Sequence, residues 1–353
     1  MGKKILVCPD SFKGSLNARE VAEVMADTLR DIFPDAEIIK MPLADGGEGT
    51  AQVVAEKIFP KKKWAEVKDP LGRKIKATYL TDITSSKAFI ESASVIGLTL
   101  LAPEERNPLV ASSRGLGEII NDAIDSGCEE IIVSLGGSAT CDGGAGMLET
   151  LKGNYEKIKF KALCDVENPL LGENGAVYVF APQKGASSDD LPILEKRMEE
   201  FLRLSVERDI CIEKDAWKAG AGAAGGLGFA FMTYLKAEII SGSDYILQLS
   251  RFSEFAEDAD LIITGEGKID RQSMMGKVID GVLRASRGKG IPVIAIGGIV
   301  EDRDYLLSKG LKGLFPISQP HLSLEENMQP VQTAKNLRKI IKEIFGDPSF
   351  NLF

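Results

Sequence analysis

The stretch Lys4-Ile5-Leu6-Val7-Cys8 is a compact apolar run that stops at Pro9-Asp10-Ser11. A short apolar run closed by turn-forming residues predicts a buried strand followed by a loop. A helix follows. Asn17 can cap it, Glu20 stands three residues on, and Leu16 can staple onto Val21. Val21, Val24, Met25, Thr28, Leu29 and Ile32 recur at helical spacing until Pro34. Glu37 to Leu43 predicts the next strand, leading into Ala44-Asp45-Gly46-Gly47-Glu48-Gly49-Thr50 and another helix.

The same order recurs toward the C-terminus. Leu261 to Thr264 reads as a strand running into Gly265-Glu266-Gly267, and Lys277 to Arg287 as a helix. Strand Pro292 to Ile296, a helix near Asp304 to Lys309, strand Gly313 to Ile317 and a final helix Leu324 to Phe345 complete it. Repeated strand-then-helix order implies a parallel sheet with right-handed crossovers. Between the ends the pattern is mixed. Trp64 to Leu80 reads as an antiparallel hairpin around Asp69-Pro70-Leu71-Gly72. Ala88 to Ser92, Glu130 to Leu135, Lys159 to Cys164 and Val177 to Ala181 read as strands. Ser113 to Ser126, Asp189 to Glu207 and the segment from Gly220 through Leu235 read as helical.

Composition excludes several function classes. The chain has 353 residues, enough for two domains, and a net charge of −9, which disfavours a nucleic-acid partner. No segment approaches a membrane span, and the N-terminal apolar run is too short for a signal peptide, so a cytoplasmic protein is expected. Five cysteines without a C-x-x-C pair argue against a disulfide framework or a zinc site. His321, the one histidine, stands in a loop-like stretch, so acid–base work falls to carboxylates, lysine, tyrosine or bound metal.

Strands repeatedly end in loops that set Asp or Glu beside Gly. These are Asp10-Ser11-Phe12-Lys13, Asp45-Gly46-Gly47-Glu48-Gly49, Gly136 to Gly144, Cys164-Asp165-Val166 and Gly265 to Asp270. Ligands of open α/β sheets bind beyond the carboxyl ends of strands. Glycines let N–H groups approach phosphate, carboxylates suit Mg²⁺, and Lys13, Arg114, Lys184, Lys268 and Lys277 can offset phosphate or substrate charge. Together these are the parts of phosphoryl transfer. No P-loop motif occurs. Gly220-x-Gly222-x-x-Gly225 matches a dinucleotide fingerprint, but the charged Lys214 to Lys218 before it is no buried strand. That segment is a candidate phosphate loop or a small-residue face for close helix packing.

These loops, in this order, resemble the bacterial glycerate kinase family. The matching segments are Pro9 to Leu16, Pro42 to Thr50, Ser112 to Glu118, Gly136 to Thr140, Cys164 to Leu170, Pro182 to Ala186, Gly220 to Gly226 and Thr264 to Asp270. The resemblance runs from about Lys4 to about Phe345. It implies Mg- and ATP-dependent phosphorylation of D-glycerate, at the 2-hydroxyl. It also implies a Rossmann- or flavodoxin-like α/β domain built from both chain ends, with a second mixed α/β domain inserted and the active site in the cleft between them. The boundaries are expected near residues 80 and 287: 1–80 with 288–353, and 81–287. The chain departs from the family in one place. Only Asn154-Tyr155-Glu156-Lys157-Ile158 separates Gly153 from Lys159, where family members carry about thirty more residues.

The expected roles follow. Lys13 and Arg114 meet the substrate carboxylate, with Asp10, Ser11 and Lys277 also binding substrate. Asp165, then Asp45, accepts the hydroxyl proton, and Lys13 assists catalysis. Gly136, Gly137, Ser138, Gly222, Gly225 and Gly226 offer N–H groups to ATP, and Glu266, Asp270 or Asp142 binds Mg²⁺. A kinase acting on the 3-hydroxyl or on a related sugar acid, and a non-catalytic sensor of small acids, are the alternatives. Whether the chain is a monomer or a homodimer is left open.

Overall fold

The computed structural model describes residues 2–47, 49–55, 58–153 and 155–347. Glu48 and Asn154, both part of segments read above, lie outside them. In chain order the protein begins with β1 (Lys4–Pro9), α1 (Ala18–Ile32) and β2 (Glu37–Lys40). The middle follows with α2 (Thr50–Ala55), β3 (Lys61–Lys68), β4 (Lys74–Thr81), β5 (Lys87–Glu91), α3 (Ala93–Ile96), α4 (Arg114–Asp125), β6 (Glu130–Ser134), α5 (Ala145–Thr150) and β7 (Lys159–Leu163). It continues through α6 (Ala176–Phe180), α7 (Asp190–Glu207), α8 (Ala223–Thr233) and β8 (Glu238–Ile240). The last part holds α9 (Gly242–Leu249), α10 (Phe252–Phe255), β9 (Leu261–Ile269), α11 (Val278–Ser286), β10 (Val293–Val300), α12 (Arg303–Ser308), β11 (Gly313–Pro316), α13 (Leu324–Met328) and α14 (Pro330–Gly346).

The chain divides into two α/β units, Met1–Asp45 with Ser243–Phe353, and Gly46–Gly242. The first is a five-stranded sheet in the order β11-β10-β9-β1-β2, parallel throughout. Read from β2, this is the doubly wound flavodoxin-like order, with its switch point between β1 and β9. The expected boundaries near 80 and 287 both move toward the N-terminus, to 45 and 242. The hairpin strand β4 pairs with β5, so β3 and β4 belong to the inserted unit. Strand β9 pairs with β1 and β10, so β9 and α11 belong to the terminal unit.

Local chemistry explains the first helix. Asn17 Oδ1 accepts from Glu20 N–H at 3.0 Å, and Glu20 Oε2 accepts from Asn17 N–H at 2.9 Å, a reciprocal cap. Val21, Met25 and Leu29 then fall on one buried face against Ile5, Val7 and Leu337. The predicted last helix is two. Its break falls at Gln329, the residue before Pro330, because the proline ring disfavours helical backbone there.

The inserted unit has a six-stranded mixed sheet, order β3-β4-β5-β6-β7-β8, in which β3, β4 and β5 pair antiparallel and the rest parallel. The predicted hairpin is present. Asp69 Oδ1 accepts from Leu71 N–H at 2.9 Å and Arg73 N–H at 2.8 Å, which closes its turn. One strand expectation fails: Val177 to Ala181 belongs to helix α6 and its C-terminal cap. Val177 and Ala181 are buried at helical spacing while Tyr178 and Val179 are exposed, and alternation in a strand would not give that pattern. A five-residue apolar run does not separate the two periods by itself.

Strand β9 also exceeds expectation, carrying Gly265, Glu266 and Gly267 inside the sheet. Gly265 permits this, since a Cβ there would lie 2.2 Å from Ile296 O on β10. Among the described residues no helix is long and apolar enough to cross a membrane.

The start of α8 is a tight joint of the inserted unit. Ala224, Gly225 and Gly226 are all left-handed, and a Cβ on Gly225 would lie 2.1 Å from Thr140 O. Gly225→Ala therefore combines a backbone clash with an unfavourable φ. It should destabilise the protein by at least about 2 kcal/mol, read as a lowered midpoint in urea unfolding, whereas Gly346→Ala, in open space and without a positive φ, should change it little.

Candidate functional site

The terminal unit brings together carboxylates that are far apart in sequence. Strands β1 and β9 pair in parallel, with Cys8 opposite Thr264 and Pro9 opposite Gly265. One residue beyond this register, at the switch point, Asp10 follows the end of β1 beside Glu266, which stays within β9 opposite Gly297. The two acids line a cavity of about 260 Å³ together with Ser11, Lys13, Asp45 and Lys277. Ser318, Asn327 and Thr333 line it from the C-terminal segment. Gly267 admits the loop after β1: a Cβ there would sit 3.1 Å from Lys13 N.

The cavity is acidic, buried and electrostatically stressed. Asp10 is 4% exposed and Glu266 6%, so both carboxylates have lost most of their water. Burial, then the Asp45 charge, pushes Asp10 well above the ordinary carboxylate range, against the pull of Ser11 N–H, which donates to Asp10 Oδ1 at 2.5 Å. Burial raises Glu266 to about 7, while the Ser273 hydroxyl, which donates to it, and the Lys277 and Lys13 charges pull it down. Carboxyl groups with pKa values near neutrality can both hold and accept protons.

Seven sequence-predicted residues therefore converge here: Asp10, Ser11, Lys13, Asp45, Glu266, Lys268 and Lys277. The other candidates sit elsewhere. Asp270 accepts from Gln272 N–H at 2.8 Å and caps the short turn Arg271–Met274. Asp142 belongs to the inserted unit. Its carboxylate accepts from Ser113 N–H and Oγ, both at 2.8 Å, from Gly144 N–H at 3.1 Å and from Gly146 N–H at 3.3 Å. These bonds tie the start of α4 to the start of α5, which explains the acid without a metal. Glu266, Asp270 and Asp142 form no common ligand group, and among the described residues no cluster of three or more metal-binding side chains occurs.

In the inserted unit, Asp165 Oδ1 accepts from Ser241 Oγ at 2.7 Å and from Gly242 N–H at 2.8 Å. Arg114 heads α4 with its side chain largely exposed, and its Nε pairs with Glu118 at 3.3 Å. The Gly-rich loops divide. Beyond β6, Gly137 is left-handed, and the N–H groups of Gly136, Gly137 and Ser138 donate to no acceptor among the described residues. By contrast, protein fills the Cβ side of Gly222, Gly225 and Gly226: Pro169 O, Thr140 O and Gly143 Cα would each lie within 2.8 Å of an added Cβ. The loop after Asp45 is also occupied. Glu91 reaches Gly49 N–H at 3.1 Å and Ala51 N–H at 2.9 Å, taking the donors a phosphate would need.

Both expected cofactors find suitable chemistry. Asp45 and Glu266 are hard oxygen donors whose mutual repulsion a divalent cation would relieve, and Mg²⁺ commonly takes only one or two carboxylates beside phosphate and water. The unpaired N–H groups of Gly136 to Ser138 suit a phosphate chain. Reasoning from sequence alone missed Ser273, Ser318, Asn327 and Thr333; lone polar residues in a C-terminal segment carry no motif.

Glu266 makes the site costly to the fold. Its folded pKa lies above its unfolded value, so the folded state holds the extra proton between about pH 4.5 and 7. Stability falls as pH rises through that window and the penalty is complete above it. Glu266→Gln should therefore melt higher than wild type at pH 8 in EDTA, by roughly 2 °C or more, and at the same temperature as wild type at pH 4.5.

Comparison with known proteins identifies the family. The glycerate kinase family matches over residues 5–155 and 150–347, two segments that meet where the chain is short before β7. The glycerate kinase of Bacillus subtilis (strain 168) is 37% identical, covering 96% of this chain and 98% of its own. The glycerate 2-kinase of Escherichia coli (strain K12) is 38% identical over 92% of each chain. A crystal structure from Salmonella typhimurium LT2, described as a glycerate kinase 2, superimposes with a TM-score of 0.79 at 35% identity and covers 98% of both chains. Over nearly its whole length, then, this chain is a member of the glycerate kinase family.

Proposed function

We propose that the protein transfers a phosphoryl group from Mg·ATP to D-glycerate, at the 2-hydroxyl. The observation that carries this reading is the switch-point cavity, where three carboxylates and three lysines surround about 260 Å³, room for a small hydroxy acid. Lys13 and Lys277 supply the positive charge that a substrate carboxylate needs. Asp10 accepts the hydroxyl proton, since it lines the cavity beside Glu266 and burial, then the Asp45 charge, raise its affinity for a proton. Asp165 is less suited to that task, because two donors stabilise its ionised form. Glu266 and Asp45 would hold Mg²⁺, which when bound offsets the charge on the transferring phosphoryl oxygens. The loop from Gly136 to Ser138 offers its N–H groups to the donor phosphates.

The 2-position is favoured by the likeness to the Escherichia coli glycerate 2-kinase. A 3-kinase, a kinase of a related sugar acid and a non-catalytic acid sensor are the competing readings. A sensor is disfavoured because like charges facing an anion help only when a cation is present. A cytoplasmic location belongs to the same proposal.

Purified protein with ATP, Mg²⁺ and D-glycerate should yield a product that enolase consumes directly, without a phosphoglycerate mutase. Product that needs the mutase would instead make it a 3-kinase. Asp10→Asn should lower kcat by about 100-fold or more with the fold intact by circular dichroism, and Asp165→Asn by less than about tenfold. The reverse order would return the proton to Asp165.

A further inference from the structure

The inserted unit buries a lysine that forms no ion pair among the described residues. Lys184 ends the short turn Pro182–Lys184 and is 3% exposed. Its Nζ donates to Ser138 Oγ at 2.9 Å and to Thr140 O at 2.6 Å. Both acceptors are neutral, and no carboxylate pairs with Lys184 among the described residues. A buried ammonium bonded only to neutral groups is strongly unfavourable unless an anion joins it. The acceptors also belong to the loop whose N–H groups at Gly136, Gly137 and Ser138 are unpaired.

Two further groups nearby await partners. Thr140 Oγ1 is fully buried and makes no hydrogen bond. Arg106 packs against the residue after Lys184, since a Cβ on Gly185 would lie 2.1 Å from Arg106 O, and its buried Nε has no partner. Two cations without carboxylates, an orphan hydroxyl and three free N–H groups around one loop are unusual in a chain of net charge −9. A helix-packing role for Lys184 accounts for the two bonds it makes, but for none of the donors left over.

We propose that Lys184, with Arg106 beside it, makes the Gly136–Thr140 loop a binding site for an oligophosphate chain, that of the phosphoryl donor, an assignment that rests on the kinase reading above. Lys184 fixes Ser138 and Thr140 while its charge and the loop N–H groups share the anion. Binding is then coupled to protonation. Burial lowers the free ammonium to about 8, opposed by Cys141 and Asp142 on the adjoining loop. A bound phosphate restores the preference for the charged form, so affinity falls as pH rises above 8.

The test titrates Mg·ATP, and separately inorganic tripolyphosphate, into the full chain by calorimetry at pH 8.5, in two buffers of different ionisation enthalpy. Nucleotide phosphates are fully ionised there, so the protein must be the group that takes up protons. Wild type should take up a fraction of one proton per Mg·ATP. Lys184→Met should lose that uptake and bind both ligands at least roughly tenfold more weakly, with D-glycerate affinity unchanged. Wild-type binding without proton uptake overturns the proposal whatever the variants do, as does a folded Lys184→Met with wild-type affinity. If Lys184→Met does not fold, Arg106→Gln takes its place: weaker tripolyphosphate binding supports the site, and unchanged binding overturns it. A protein that phosphorylates D-glycerate while Lys184→Met keeps its ATP affinity refutes this site alone. One that binds ATP through Lys184 without phosphorylating D-glycerate refutes the proposed activity alone.

Discussion

Repulsion between buried carboxylates is the constraint around which the terminal unit is built. The register of β1 against β9 leaves Asp10 and Glu266 adjacent at the point where strand order reverses. Neither carries a salt bridge, and Asp45 adds a third negative charge. A fold selected only for stability would replace such a cluster with apolar residues. Its survival in the best-packed sheet of the unit is intelligible if cationic and hydroxylic ligands complete it.

The surrounding architecture holds this stress in place. Helices α1 and α14 bury Val21, Met25, Leu29, Leu337 and Ile341 against the strands, so the ends of β1 and β9 have little freedom to separate. Asn327 locks the segment after β11: it accepts from Gln319 N–H at 2.8 Å and donates to the carbonyls of Gln319, Leu322 and Ser323. The wall of the cavity thus comes from five separate stretches of chain, around residues 10–15, 45, 266–277, 298–299 and 317–333.

The inserted unit shows how differently similar motifs can be used. Four Gly-rich or acid-bearing loops look alike as strings. Asp142 caps two helices, Glu91 consumes the donors after Asp45, and the glycines at 222, 225 and 226 exist so that backbones can touch. The loop from Gly136 keeps the N–H groups of Gly136, Gly137 and Ser138 unspent among the described residues, and that is the loop with a buried lysine bonded to it.

Much of this was legible in the sequence. The alternating strands and helices of the two chain ends, the Asn17–Glu20 cap, the hairpin turn at Asp69 and the acids at 10, 45 and 266 follow from local patterns, because periodicity and capping act over a few residues. What only the tertiary structure decided was partnership. Whether Val177 to Ala181 is strand or helix depended on which side chains found a core. Whether Asp142 or Asp270 could serve a metal depended on which N–H groups lay within 3 Å or so. That Lys184 would lie buried under Ser138 and Thr140, forty-odd residues away, has no trace in its own neighbourhood, since burial is a property of everything that packs around a side chain and not of the side chain itself.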